Sequence, residues 1–260
     1  MKNLRQEFYK MVYRPSMWTG PLIALGLMIS YLLIVAKIDV HGDLSRSIFI
    51  NGYGSIMFLS LILVGIGATF FSMEYQNKTM LTLCFRSPNR WSIYIAKFGI
   101  LIAYNLYLHL WSILFTLILN FLPLGHDPLA LNAVYLYHQP LWVNLLTFTG
   151  ADFLQSTLVL AVVFMLASLL KSNATVISIG MVFVLMGTSL SSTLLHSLHQ
   201  YFGLLKWNPL NFLNFTQFIG DIHYYQPIYG LSTIQFIVGI SGYAVLFLGL
   251  GYLIFRHKRI

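Results

Sequence analysis

Ionisable side chains are scarce in this sequence, so those lying inside apolar runs are the first candidates for chemistry. Asp152 stands in the apolar stretch that opens near Leu145, with Gln155 and Ser156 close behind it. A carboxylate inside a hydrocarbon layer is costly and is by default a functional candidate. Two readings stand for it: a buried acid within a span, or an acid at the outer interface, if that span begins close to Gly150. Asn105 and His109 are four residues apart, hence on one helical face. Such residues hydrogen-bond a neighbouring helix or touch a transported molecule. His196, His199 and His223 gather in one later segment, with Asp221 beside them. No Cys accompanies them, and no metal is assigned. Cys84, the single cysteine, has no intrachain disulfide partner. No Gly-x-x-x-x-Gly-Lys-Ser/Thr phosphate loop occurs, so no cofactor is assigned to this chain.

The elements that must hold these residues follow from composition. Of 260 residues, 58% are hydrophobic and 8% charged. A soluble domain carries about 25% charged residues, so lipid must solvate much of this chain. The net charge of +8 would suggest nucleic acid in a soluble protein. Here the bases lie at the ends of apolar runs, where they read as topology signals facing anionic headgroups. Six runs are long enough to cross a bilayer, which takes about 20 helical residues: about 17–36, 52–73, 94–117, 145–170, 174–195 and 233–255. They are continuous and do not alternate, so helices are expected and a barrel is not. The expected fold is therefore all-α, a single polytopic transmembrane domain of six helices.

Charge placement gives an orientation. With the N-terminus inside, the inner segments hold Lys2, Arg5, Lys10, Arg14, Lys78, Arg86, Arg90, Lys97, Lys171, Arg256, Lys258 and Arg259. The outer loops then hold Lys37, Arg46 and Lys206, with Asp39, Asp43, Asp127 and Asp221. The positive-inside rule predicts both ends cytoplasmic. In residues 1–15, Leu4, Phe8, Met11 and Val12 recur at helical spacing among four bases. This is the pattern of an amphipathic helix on the inner surface; a basic tail that only sets topology fits the same residues. The outer segment 196–232 is rich in Phe and Tyr and contains Pro209 and Pro227, so short helices entering or lying on the outer leaflet are expected. Glycines 65, 67, 180, 187, 239 and 242 lie within the spans and permit close helix packing.

The inner segment 74–91 has a pattern of its own. Glu74 is followed by Thr79, Leu81, Leu83, Arg86, Pro88 and Arg90, and Lys97 stands near the start of the third run. An amphipathic stretch closing on Ser-Pro-Asn-Arg turn chemistry suits a short helix parallel to the membrane. Here the chain resembles the permease subunits of bacterial ATP-binding-cassette exporters, from the drug, peptide and polysaccharide exporter superfamily. Glu74, Thr79, Leu81, Leu83, Pro88, Arg90 and Lys97 match that pattern in order and spacing. Asn77-Lys78 departs from it, because a Gly usually precedes the Thr. The resemblance implies that 74–91 is a coupling element docking on a separate ATPase subunit, which alone binds ATP. It also implies that the permease works as a dimer, with a second copy or a homologous chain. An ordinary basic loop joining two spans is the other reading of these residues.

Three function classes compete. A transporter subunit moving a peptide, an antimicrobial compound or a lipid-like cargo, in antimicrobial-peptide export or immunity, follows from the resemblance. An intramembrane enzyme needs paired acids, or a Ser with a His, inside the bilayer; it gains weight if Asp152 and His109 meet around a polar cavity. A secondary transporter is expected to show repeats and broken midplane helices, and neither is evident in the sequence.

Overall fold

Backbone polar groups in hydrocarbon must be satisfied within the segment, and helices do this locally. In the computed structural model, which describes residues 2–38, 42–76, 90–122, 128–170, 172–198 and 201–257, six helices are long and apolar enough to cross a membrane among the described residues. The architecture is all-α and polytopic. α1 (Lys2–Val12) precedes the first spanning helix, α2 (Ser16–Val35). α3 (Asp43–Ile50) and a tight turn at Gly52–Gly54 lead into α4 (Ser55–Gln76). α5 (Arg90–Phe121), α6 (Leu141–Leu169) and α7 (Asn173–Ser197) follow. Short helices α8 (Phe202–Leu205), α9 (Phe215–Gly220) and α10 (Ile222–Tyr229) precede α11 (Thr233–His257). The end of the bundle that carries α1, the start of α5 and the end of α11 is termed the near end.

α6 is the centre of the bundle and packs against α11, α4, α5, α7 and α9. Its consecutive residues Leu158 to Phe164 are all buried. A helix that is apolar on every side buries every side. Glycine allows the closest approaches. A Cβ on Gly180 would lie 2.6 Å from Val64, and one on Gly67 would lie 3.1 Å from Leu160, so α7 and α4 press directly on their neighbours. Gly65 and Gly242, by contrast, face open space.

Three local features depart from the sequence expectation. α3 is an extra helix in what reads as a simple outer connection. α5 begins at Arg90 rather than Tyr94, and α6 at Leu141 rather than Leu145. The aromatic segment before α11 turns its large side chains into the protein: Phe212, Phe215 and Phe218 are buried around Phe236 of α11. α9 reaches deep enough for the Thr216 backbone N–H and hydroxyl to donate to Gln155 Oε1 at 3.2 and 3.1 Å.

Candidate coupling site and a polar pair in mid-span

α1 meets the bundle through polar residues. Glu7, Lys10, Met11 and Arg14 follow i, i+3, i+4, i+7 spacing, one helical face. Glu7 Oε1 accepts from Lys10 Nζ at 2.7 Å, and Oε2 from Lys97 Nζ of α5 at 3.1 Å. Lys97 is 0% exposed and Glu7 3%. Phe70 of α4 completes the cluster: Lys97 Nζ lies 5.5 Å and Arg14 Cζ 4.7 Å from its ring centroid. Cations over an aromatic face are attracted by the ring quadrupole. Burial pushes the Glu7 carboxyl up, but Lys97 and Lys10 together outweigh it and hold the group below the ordinary carboxylate range. Leu4 and Phe8 are 49% and 56% exposed, Leu4 at the edge of the contact with Gly99 of α5. That leaves apolar side chains on the outer side of α1, available to lipid.

This cluster ties α1 to the two helices that flank residues 77–89. Arg90, the first residue of α5, donates from Nη1 to the Arg256 carbonyl at 2.7 Å, in the last turn of α11. Late helix carbonyls lack intrahelical donors and attract cations. Tyr94 adds an aromatic cluster with Phe164, Tyr252 and Phe255. Both flanks of the segment are thus braced against several helices. Glu74 lies in the last turn of α4. Thr79, Leu81, Leu83, Arg86 and Pro88 lie outside the described residues. Lys97 stands seven residues into α5, buried against Glu7.

Sequence reasoning did not single out Glu7, although a signal exists. Glu7 is the one acid among four bases in the first fourteen residues. A lysine within an apolar run, such as Lys97, needs an anion to be buried.

The mid-span candidates come together on α5 and α6. His109 Nε2 lies 3.0 Å from Asp152 Oδ2, and His109 Nδ1 lies 2.8 Å from the Asn105 carbonyl. The carbonyl only accepts, so Nδ1 carries a proton. A second proton must then lie between Nε2 and Oδ2, on one atom or the other. The pair is net neutral in either arrangement, which suits a site where His109 is 2% and Asp152 1% exposed. Asp152 is therefore buried within the protein. It lies eleven residues into α6, about 16 Å along the axis. Asn105 Nδ2 donates to the Phe153 carbonyl and to Thr157 Oγ1, and its Oδ1 accepts from Ser156. One turn further along α5, Ser112 donates to Ser55 of α4 at 2.7 Å. Asp152 Oδ1 is buried without a partner among the described residues. Gln155 points instead toward α9 and lines a separate cavity, which neither His109 nor Asp152 lines. Neighbouring side chains close the pair off from the protein surface. Among the described residues no group of three or more His, Cys, Asp or Glu is placed to hold a metal.

Residues 3–189 match the family model described as ABC-2 family transporter protein. The chain belongs to the ABC-2 transporter family. The matched span runs from α1 into α7 and includes the near-end cluster and the mid-span pair, so both are features of an ABC-2 membrane component. Such components generally work with an ATP-binding partner subunit, and six apolar helices make this one a multi-pass membrane protein. No curated protein matches the chain.

Proposed function

We propose that this chain is the permease subunit of an ABC exporter that moves a peptide, antimicrobial or lipid-like cargo with ATP hydrolysed by a separate subunit. Antimicrobial-peptide export or immunity is the cellular role that suits a six-span permease of this kind. The near end faces the cytoplasm of the cell membrane, and two permease copies, or one with a homologous chain, pair within it. The carrying observation is the bracing around residues 77–89: Glu7, Lys97 and Phe70 join α1, α4 and α5, while Arg90 joins α5 to α11. A segment whose two flanks are fixed to several helices passes a push from a docked ATPase to the spans as rigid-body movement. A floppy junction would absorb that push. The absence of a phosphate loop from the sequence supports placing ATP on the partner. The meeting of His109 with Asp152 supports an enzyme less well than a helix lock, because the pair is sealed.

The test is co-purification of the ATPase subunit with the full-length permease, together with ATP-dependent transport in vesicles. Glu74→Gln and Arg90→Ala are expected to weaken both. Unchanged association and transport in both variants would overturn the coupling role.

A further inference from the structure

At the far end of the bundle, opposite α1, α3, α6, α7 and α9 enclose a partly open cavity of about 510 Å³. Volumes of about 300–1,000 Å³ are typical of small-molecule sites. None of its lining residues is Asp, Glu, Lys, Arg or His. In a chain of net charge +8, that neutrality is a selective feature. Charges beside the lining residues are already engaged: Asp43 and Arg46 pair with each other at 3.2 Å, and Asp221, next to Gly220, accepts from the Tyr224 backbone N–H at 3.0 Å.

The hydrogen-bonding capacity left to the cavity is defined by the partners already taken. Gln155 Oε1 accepts from the Thr216 backbone N–H. That donor fixes the amide orientation, so Nε2 is the end left over, and it has no partner among the described residues. Asn51 Nδ2 donates to the Ser47 carbonyl at 2.8 Å, which leaves Oδ1 as an unspent acceptor. The Thr188 hydroxyl supplies a group that both donates and accepts. Ile56, Phe148 and Leu213 form apolar wall between these groups.

We propose that this cavity is a binding site, within a single chain, for an uncharged amphiphile whose head carries hydroxyl or amide groups. The Gln155 amide donor, the Asn51 acceptor and the Thr188 hydroxyl, with the polar side chains of Ser47, Tyr135, Gln217 and Tyr225 also in the lining, match a sugar- or amide-type head, and the apolar wall matches a tail. They offer no counter-charge to a phosphate or an ammonium, and burying an unpaired charge there is unfavourable. The site does not depend on the ATPase reading, because it is complete without the near end. Its occupant is either a resident neutral lipid or a cargo molecule in transit, and both share this head chemistry.

The test is photolabelling of the full-length permease in nanodiscs with a diazirine-tailed alkyl glucoside, with the labelled peptides mapped by mass spectrometry. Labelling is expected in α6, α7 and α9. It is expected to be competed by a neutral glycosyl diacylglycerol, and not by phosphatidylglycerol or dodecyltrimethylammonium. Thr188→Val removes one neutral hydrogen bond and should weaken labelling about threefold to tenfold. Thr188→Phe should abolish it by filling the space. Gln155→Glu should transfer competition to the cationic amphiphile. That variant keeps the oxygen that accepts from Thr216, and an unchanged size-exclusion profile will show that it folds. A resident lipid labels the permease alone; a cargo labels it only when the ATPase and ATP are present. Labelling confined to other helices, equal competition by charged amphiphiles, or full labelling of folded Thr188→Phe would each overturn the proposal.

Discussion

The two polar clusters of this permease bury charge in different ways. At the near end, Glu7 and Lys97 are ninety residues apart in sequence and belong to a short helix and a long apolar one. Their contact holds α1 in place, and Lys10, Arg14 and Phe70 surround it. In mid-span, His109 and Asp152 join two helices that already pack along their length, and the pair is neutral by virtue of a shared proton. The first is an ionic joint that reinforces a contact to which buried Met11 also contributes apolar packing. The second pins the register of two elements already in contact.

The comparison can be broken most sharply at the joint. Glu7→Gln takes the carboxylate from a buried lysine, and losing one partner of a buried pair typically costs about 3–5 kcal/mol. α1 is expected to become accessible to hydrogen exchange along its length. Replacing both partners, Glu7→Leu with Lys97→Met, is expected to recover stability to within about 1 kcal/mol of the parent. A double-mutant cycle read by thermal unfolding in detergent checks this.

In mid-span, His109→Phe leaves the Asp152 carboxyl without its hydrogen-bond partner and should cost about 2 kcal/mol. It should leave α1 protected from exchange, which separates the two clusters. Asp152→Asn keeps a partner for Nε2 by donating its own amide hydrogen, and is expected to be milder than His109→Phe in the same unfolding measurement.

Packing gives a smaller effect. Gly180→Ala brings a methyl to 2.6 Å from Val64, and overpacking of this kind costs about 1–3 kcal/mol. Gly242→Ala meets nothing and should be neutral or slightly stabilising, since alanine favours helix. Side-by-side melting of the two variants compares a glycine at a close helix contact with one that faces open space.

Acid gives the finest test of the joint. The Glu7 carboxyl is held below its unfolded value by Lys97 and Lys10 against the opposing effect of burial. Its charge therefore contributes stability that is present above the unfolded carboxylate value and is lost as pH falls through the lowered one. α1 should stay protected at neutral and mildly acidic pH and begin to exchange only as the pH falls below the ordinary carboxylate range. In the double Leu/Met variant that acid transition should vanish.

The spans were legible because length and continuous apolarity are local properties, and six runs announce themselves without any knowledge of packing. Partnership between distant residues was not. Glu7 reads as a minority charge on a basic helix until Lys97 is seen buried beside it. The depth of Asp152 turned on a boundary: α6 starts immediately after Pro140, which cannot itself lie in a helix interior. Counting from there places the acid in mid-span, and counting from Gly150 places it at the surface. The aromatic segment before α11 carries the composition of an interfacial loop, yet Gly239 leaves space for the Phe212 ring against α11. That glycine is visible in the sequence, but its tertiary partner is not.

Coupling at the near end is the central claim, and site-specific photo-crosslinking tests it most directly. A photoreactive residue is placed at Thr79, Leu83 or Arg86, and in control proteins at Ser47, Gln217 or Tyr225, in membranes that hold the ATPase subunit. ATP-sensitive crosslinks to the ATPase are expected from the first three positions and none from the controls. Crosslinks from the controls, or none from residues 79–86 in a transport-competent complex, would contradict it.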